Sequence, residues 1–202
     1  MIALQVQDIK NFMSKLLIGT DFDAFWLSEA NITTSVTYTI DGLLHPDFFD
    51  TQETELLEAE NRKYTLWKEI KPFCFSIMKG KKTPLHFKIV FMLSEKNTEK
   101  LLLGNRVPLT PDDIFGLFVN FQYDGTHLIC TTGTSIKTFT LDKTLDHVWD
   151  ELVQKFFNQK HIPYEIFIKL RRLTYDTRSW NTLLSQRILT CSSKRTRFYF
   201  ML

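Results

Sequence analysis

The chain has 202 residues, enough for one domain with a sizeable core, and its 44% hydrophobic content, 18 Phe and few Gly or Pro exclude a disordered or low-complexity protein. No run approaches the roughly 18 consecutive apolar residues of a membrane span, and the start, MIALQVQDIKNFMSKLLIG, has neither a basic n-region nor a continuous apolar h-region, so a cytoplasmic protein with no membrane association is expected. The formal net charge of +2 conceals an asymmetry: residues 1–168 carry 17 Lys and Arg against 22 Asp and Glu, whereas residues 169–202 carry 8 against 1.

In chain order, IALQV reads as a strand, followed by a helix capped by Asp8, with Ile9, Phe12, Met13, Leu16 and Leu17 at helical spacing and Gly19 as its stop. From Asp23 to Ile40 the alternation is β-like, and two strands joined near Ala30 and Asn31 are expected. HPDFFDTQETELLEAENRK is acidic and loop-like, with room for a helical turn. YTLWKEIKPFCFSIMKGKK has helical periodicity, with a kink or break expected before Pro72 and a stop at Gly80. PLHFKIVFML alternates strictly, putting Leu85, Phe87, Ile89, Phe91 and Leu93 on one face of a strand. A short helix capped by Ser94 and a Pro-bearing loop follow.

From Phe115 a three-strand meander is expected, turning first at Asp124-Gly125 and again at Gly133. KTLDHVWDELVQKFFNQ then gives a helix with a wide apolar stripe from Leu145 to Phe157.

Each candidate site has a plainer structural reading. The stretch LICTTGTSIKTFT, Leu128 to Thr140, has one glycine and no following Lys-Ser/Thr at a helix start, so it reads as a turn between strands rather than a phosphate loop. A two-residue Asp124-Gly125 turn pairs Phe121 with Leu128 and Val119 with Cys130, which puts Cys130 on the apolar face and His127 on the other, excluding a Cys/His nucleophilic pair. Cys74, Cys130 and Cys191 lack any paired spacing, so neither a disulfide framework nor a cysteine zinc site is expected, and no cofactor motif occurs. Asp146, His147, Asp150 and Glu151 form the densest titratable cluster, with His147 and Glu151 the least poor catalytic candidates, yet all four are expected near the solvated face of their helix. Lys79, Lys81 and Lys82 complement a helix C-terminus.

The end of the chain differs in kind. Residues 1–168 hold 15 Lys and 2 Arg, and residues 169–202 hold 2 Lys and 6 Arg, interleaved with Tyr175, Trp180, Phe198, Tyr199 and Phe200. Arg171, Arg172, Arg178, Arg187, Lys194, Arg195 and Arg197 suit phosphates and stacked bases, so nucleic-acid or anion binding is one expectation for this extension; docking, or an extension foreign to the domain, is the other.

The segments SEANITTSVTYTIDG, PFCFSIMKGKKTPLHFKIVFML and CTTGTSIKTFTLDKTLDHVWD resemble a bacterial domain of unknown function, from anaerobic gut Gram-positives, over most of residues 1–168. The resemblance implies a bacterial cytoplasmic protein and supplies no activity, substrate or site residue.

The expected architecture is one α+β domain over residues 1–168, a mostly antiparallel sheet of about six or seven strands packed by two or three helices, with the Arg-rich basic extension at residues 169–202. The expected function is a non-catalytic binding or protein-interaction domain, acting on a protein partner or as a homo-oligomer. Nucleic-acid association through the extension and an enzyme with an unrecognised site are the alternatives. A small-ligand cavity between sheet and last helix is a further expectation by analogy.

Overall fold

The computed structural model describes residues 1–138 and 140–168. Seven strands form one sheet: β1 (Ala3–Val6), β2 (Trp26–Thr33), β3 (Thr37–Asp41), β4 (His86–Met92), β5 (Ile114–Tyr123), β6 (Leu128–Ile136) and β7 (Tyr164–Ile168). Their order is β3-β2-β4-β5-β6-β1-β7, antiparallel at every pairing. Five helices accompany them: α1 (Ile9–Leu17), α2 (Thr51–Ala59), α3 (Trp67–Met78), α4 (Glu95–Asn105) and α5 (Thr144–Gln159). The α+β expectation holds. None of these helices is long and apolar enough to cross a membrane.

One face of the sheet carries the core. The alternation that makes β4 a strand sends Phe87, Ile89 and Phe91 inward, where β5 adds Leu117, Val119 and Phe121. Helices α1, α3 and α5 close over them: Phe157 stacks on Phe121, Phe12 packs tilted against the same ring, and Trp67 meets Phe91 edge-on with ring centroids 5.0 Å apart. Trp67 donates from Nε1 to the Leu16 carbonyl at 2.8 Å, and Lys71 reaches the Gly19 carbonyl at 2.7 Å and Asp23 at 2.5 Å, so α3 is bound to the end of α1 by polar as well as apolar contact. Asp8 caps α1 as expected, accepting from the Asn11 N–H at 2.9 Å.

Several expectations are corrected. The β2/β3 hairpin turns at residues 34–36, not near Ala30 and Asn31: Ala30 is buried in β2 opposite Ile40. The acidic segment contains a nine-residue helix, α2, because Asp50 and Glu53 cap each other's backbone N–H groups and satisfy donors that would otherwise be orphaned. Helix α3 runs through Pro72 without a break; the buried Trp67, Cys74 and Met78, on both sides of the proline, hold it together. The chain makes no turn at Gly133. Strand β6 passes straight through it, with Gly133 opposite Phe118, and the described residues between Ile136 and Thr144 form no third meander strand.

Among the described glycines only Gly125 has a positive φ, +99°. It is the first of two central turn residues between Asp124 and His127, the position where glycine removes the Cβ penalty. Tyr123 therefore pairs with Leu128 and Phe121 with Cys130, two residues from the expected register. A shift of two preserves the face of every side chain, and Cys130 is buried as expected. Strand β7, which did not emerge from the sequence, pairs with β1.

Candidate functional site

The threonine-rich stretch is a docking strip for α5. Along β6 the inward positions run Leu128, Cys130, Thr132, Thr134, so the apolar alternation continues into two hydroxyls. Thr132 donates to Asp150 at 2.5 Å and Thr134 donates to Asp146. Two strand residues span about 6.8 Å and four helical residues about 6 Å, so residues two apart on β6 match residues four apart on α5. Asp150 is thereby only 7% exposed, contrary to the expectation of a solvated face. Burying a carboxylate requires partners, and Thr132 together with the Met1 ammonium, 2.9 Å from Asp150, supplies them. Burial works to raise the Asp146 carboxyl, but the Thr134 hydroxyl and Lys143 outweigh it and hold that group below the usual carboxylate range.

His147 and Glu151 are exposed, and Glu151 lies 3.9 Å from Lys155. His127 sits in the hairpin turn with Asp124, on the side away from the buried Cys130. Burial pushes the Cys74 thiol up to about 12 and raises that of Cys130 further, which keeps both unreactive. Among the described residues no three His, Cys, Asp or Glu side chains are grouped to hold a metal ion. The space between the sheet and α5 amounts to about 30 Å³, lined by Phe22, Phe91, Phe121 and Phe156, so the aromatic side chains fill the cavity anticipated there. Arg171, Arg172, Arg178, Arg187, Lys194, Arg195, Arg197 and Cys191 lie outside the described residues.

The feature that folding alone does not explain is an arm between β3 and α3. It leaves the sheet at Gly42, where the backbone passes so close to β2 that a Cβ would lie 1.8 Å from the Leu27 carbonyl oxygen. Its two legs are then clasped: Leu44 N–H donates to the Lys63 carbonyl at 3.0 Å and Thr65 N–H to the Gly42 carbonyl at 2.8 Å. Beyond this neck, no residue from Leu43 to Tyr64 is buried. Phe48 is 86% and Leu56 67% exposed. Asp47, Asp50, Glu53, Glu55, Glu58 and Glu60 surround them, with no Lys or Arg in that span. Among the described residues none of these six carboxylates makes an ion pair, since Arg62 turns to Glu69 and Lys63 to Glu95. A concavity of about 360 Å³ lies under α2, lined by Leu43, Leu44, Pro46, Leu57 and Tyr64.

This arm falls within a stretch that comparison with protein families identifies. Residues 15–165 match the model of a family of unknown function, DUF5721. The chain belongs to the DUF5721 family. No curated protein and no solved structure was found to match it. The family match ends before the Arg-rich extension begins at Lys169. The sequence of the DUF5721 arm reads as an acidic, loop-like segment with room for a helical turn; the signal for the longer helix is the Asp50-x-x-Glu53 capping box followed by Leu56 and Leu57.

Proposed function

We propose that this DUF5721 chain is a non-catalytic protein-interaction domain of the bacterial cytoplasm, and that the arm, residues 43–60, is the element that engages a basic protein surface. The observation carrying this reading is a fully capped helix that buries nothing and holds Phe48 and Leu56 in solvent among six uncompensated carboxylates. A nine-residue helix gains little from propensity alone, and its apolar side chains give the fold no burial energy where they stand. Covered by a partner, the same two side chains become buried anchors, and the carboxylates steer a cationic surface toward them.

A synthetic amphipathic peptide of Lys and Leu serves as the probe, titrated against the full chain by fluorescence anisotropy. Phe48→Ala combined with Leu56→Ala should weaken binding roughly tenfold, the effect of losing about 1.4 kcal/mol, while thermal stability stays within about 0.5 kcal/mol of the parent. Equal affinity in the double variant overturns the reading.

A second reading rests on the charge of residues 169–202, 8 Lys and Arg against 1 acidic residue: association with nucleic acid through Arg171, Arg172, Arg178, Arg187, Lys194, Arg195 and Arg197. Affinity for a duplex should then fall steeply with salt and be lost when the Arg pair 171 and 172 is changed to Glu; a salt-independent affinity overturns it.

A further inference from the structure

We propose that the arm of one molecule docks into the groove between α1 and α3 of a second copy, so that the chain self-associates head to tail. The proposal rests on the reading of the arm as a docking element and names its receptor. The groove has a volume of about 230 Å³, with Met13 and Leu17 of α1 on one wall, Phe75 and Met78 of α3 on the other, and Phe87 of β4 among its lining residues. Lys79 and Lys82 also line it, and no carboxylate does. Lys79, Lys81 and Lys82 are exposed, and the described residues give none of them an acidic partner. The Lys79 ammonium stands 5.8 Å from the centroid of Phe75, placing positive charge directly beside the apolar wall.

The arm is the complement of this surface in both respects: it exposes the apolar side chains of Leu43, Phe48 and Leu56, and its charge is wholly negative. Apolar anchors set into a groove, with opposite charges meeting at the rim, are a recurrent mode of recognition, and the two methionines let the walls adapt. No residue of the arm lines the groove of its own molecule. Its neck is clasped at Thr65, beside the N-terminus of α3, whereas the groove lies at the other end of that helix, at Met78 and Lys79. Twelve helical residues put about 18 Å between them. With arm and groove apart in the one molecule, the proposed contact is between copies and is heterologous, leading to a ring or an open chain.

The test is sedimentation of the full chain over a range of concentration and salt. Average mass should rise with concentration at low salt, and association should weaken at least tenfold when ionic strength is raised to about 0.5 M. Glu55→Lys with Glu58→Lys in the arm, and Lys79→Glu with Lys82→Glu in the groove, should each reduce self-association at least tenfold. An equimolar mixture of the two variants should assemble, because the acidic groove of one accepts the basic arm of the other and the remaining arm and groove are unchanged. All four positions are exposed, and circular dichroism checks that each variant is folded. A parent that stays monomeric overturns the self-association while the arm reading is still decided by the Lys/Leu peptide. Association lost on reversing the arm but indifferent to the groove reversal places the receptor elsewhere, for instance on the basic extension, and overturns the groove.

Discussion

Cys130 lies opposite Phe121 on β6 and is fully buried, with its thiol held protonated by the apolar surroundings. A thiol there behaves as a small apolar group whose weak S–H donor needs no partner. A serine hydroxyl of nearly the same size does need one. Cys130→Ser should therefore cost about 1–3 kcal/mol, read as a lower urea midpoint with an unchanged slope, and should leave binding by the arm intact. Unchanged stability would mean that the side chain is not enclosed as described. The face of this residue was legible in the sequence although its register was not. Asp124-Gly125 reads as a two-residue turn, but the carboxylate of Asp124 accepts from Thr126 N–H at 2.9 Å and His127 N–H at 2.7 Å, which moves the turn to Gly125-Thr126. Because a strand repeats every two residues, that error cancelled for every side-chain direction.

The contact between α5 and β6 shows where reading of an element by hydrophobic pattern stops. Leu145, Trp149, Val153 and Phe157 announce the buried stripe of α5, and all four are buried. Asp146 and Asp150 flank that stripe and look solvated by the same pattern, while Thr132 and Thr134 look like exposed strand residues around a glycine turn. Only their pairing across the two elements buries Thr132 and Asp150 and half-buries Thr134 and Asp146, and a single chain read locally carries no sign of it. Similarly, α2 reads as no more than a helical turn because it has no apolar stripe, and a kink or break is expected in α3 because propensity weighs Pro72 without weighing the core contacts on either side.

The α5 contact is pH-dependent in a defined direction. Asp146 titrates below its ordinary value in the folded protein, so folding favours its charged form. The stabilisation it gives is complete above the ordinary carboxylate range, roughly pH 5 and up, and is lost as pH falls through the lowered folded value. Asp146→Asn should remove about 1 kcal/mol at neutral pH, from the weakened hydrogen bond to Thr134, and should flatten the decline of stability between about pH 5 and 2. Urea midpoints of parent and variant across that interval check it; parallel pH profiles would show that Asp146 does not contribute.

At the scale of the whole molecule, the domain divides its apolar side chains between two uses. Phe12, Phe22, Phe91, Phe121 and Phe157 are enclosed in one aromatic cluster spanning α1, α5 and the middle strands, and several of their rings meet edge-to-face. Phe48 and Leu56 take no part in it, and the arm is joined to β2 and β3 at its base, through the neck at Gly42 and Thr65 and the Leu43 N–H donated to Asp41. Opening of α2 therefore exposes almost no new apolar surface, whereas opening of β5 exposes the centre of the core, flanked by β4 and β6. Amide hydrogen exchange of the free protein should thus show α2 exchanging through local opening, with protection far below that of β4, β5 and β6, whose slowest amides should follow global unfolding. If the arm is a docking element, saturating Lys/Leu peptide should raise the protection of α2 while leaving the central strands unchanged, since their limit is set by the core. Protection of α2 as high as that of β5 in the free protein would mean that the arm is part of the cooperative core, and its exposed side chains would then need an explanation other than a partner.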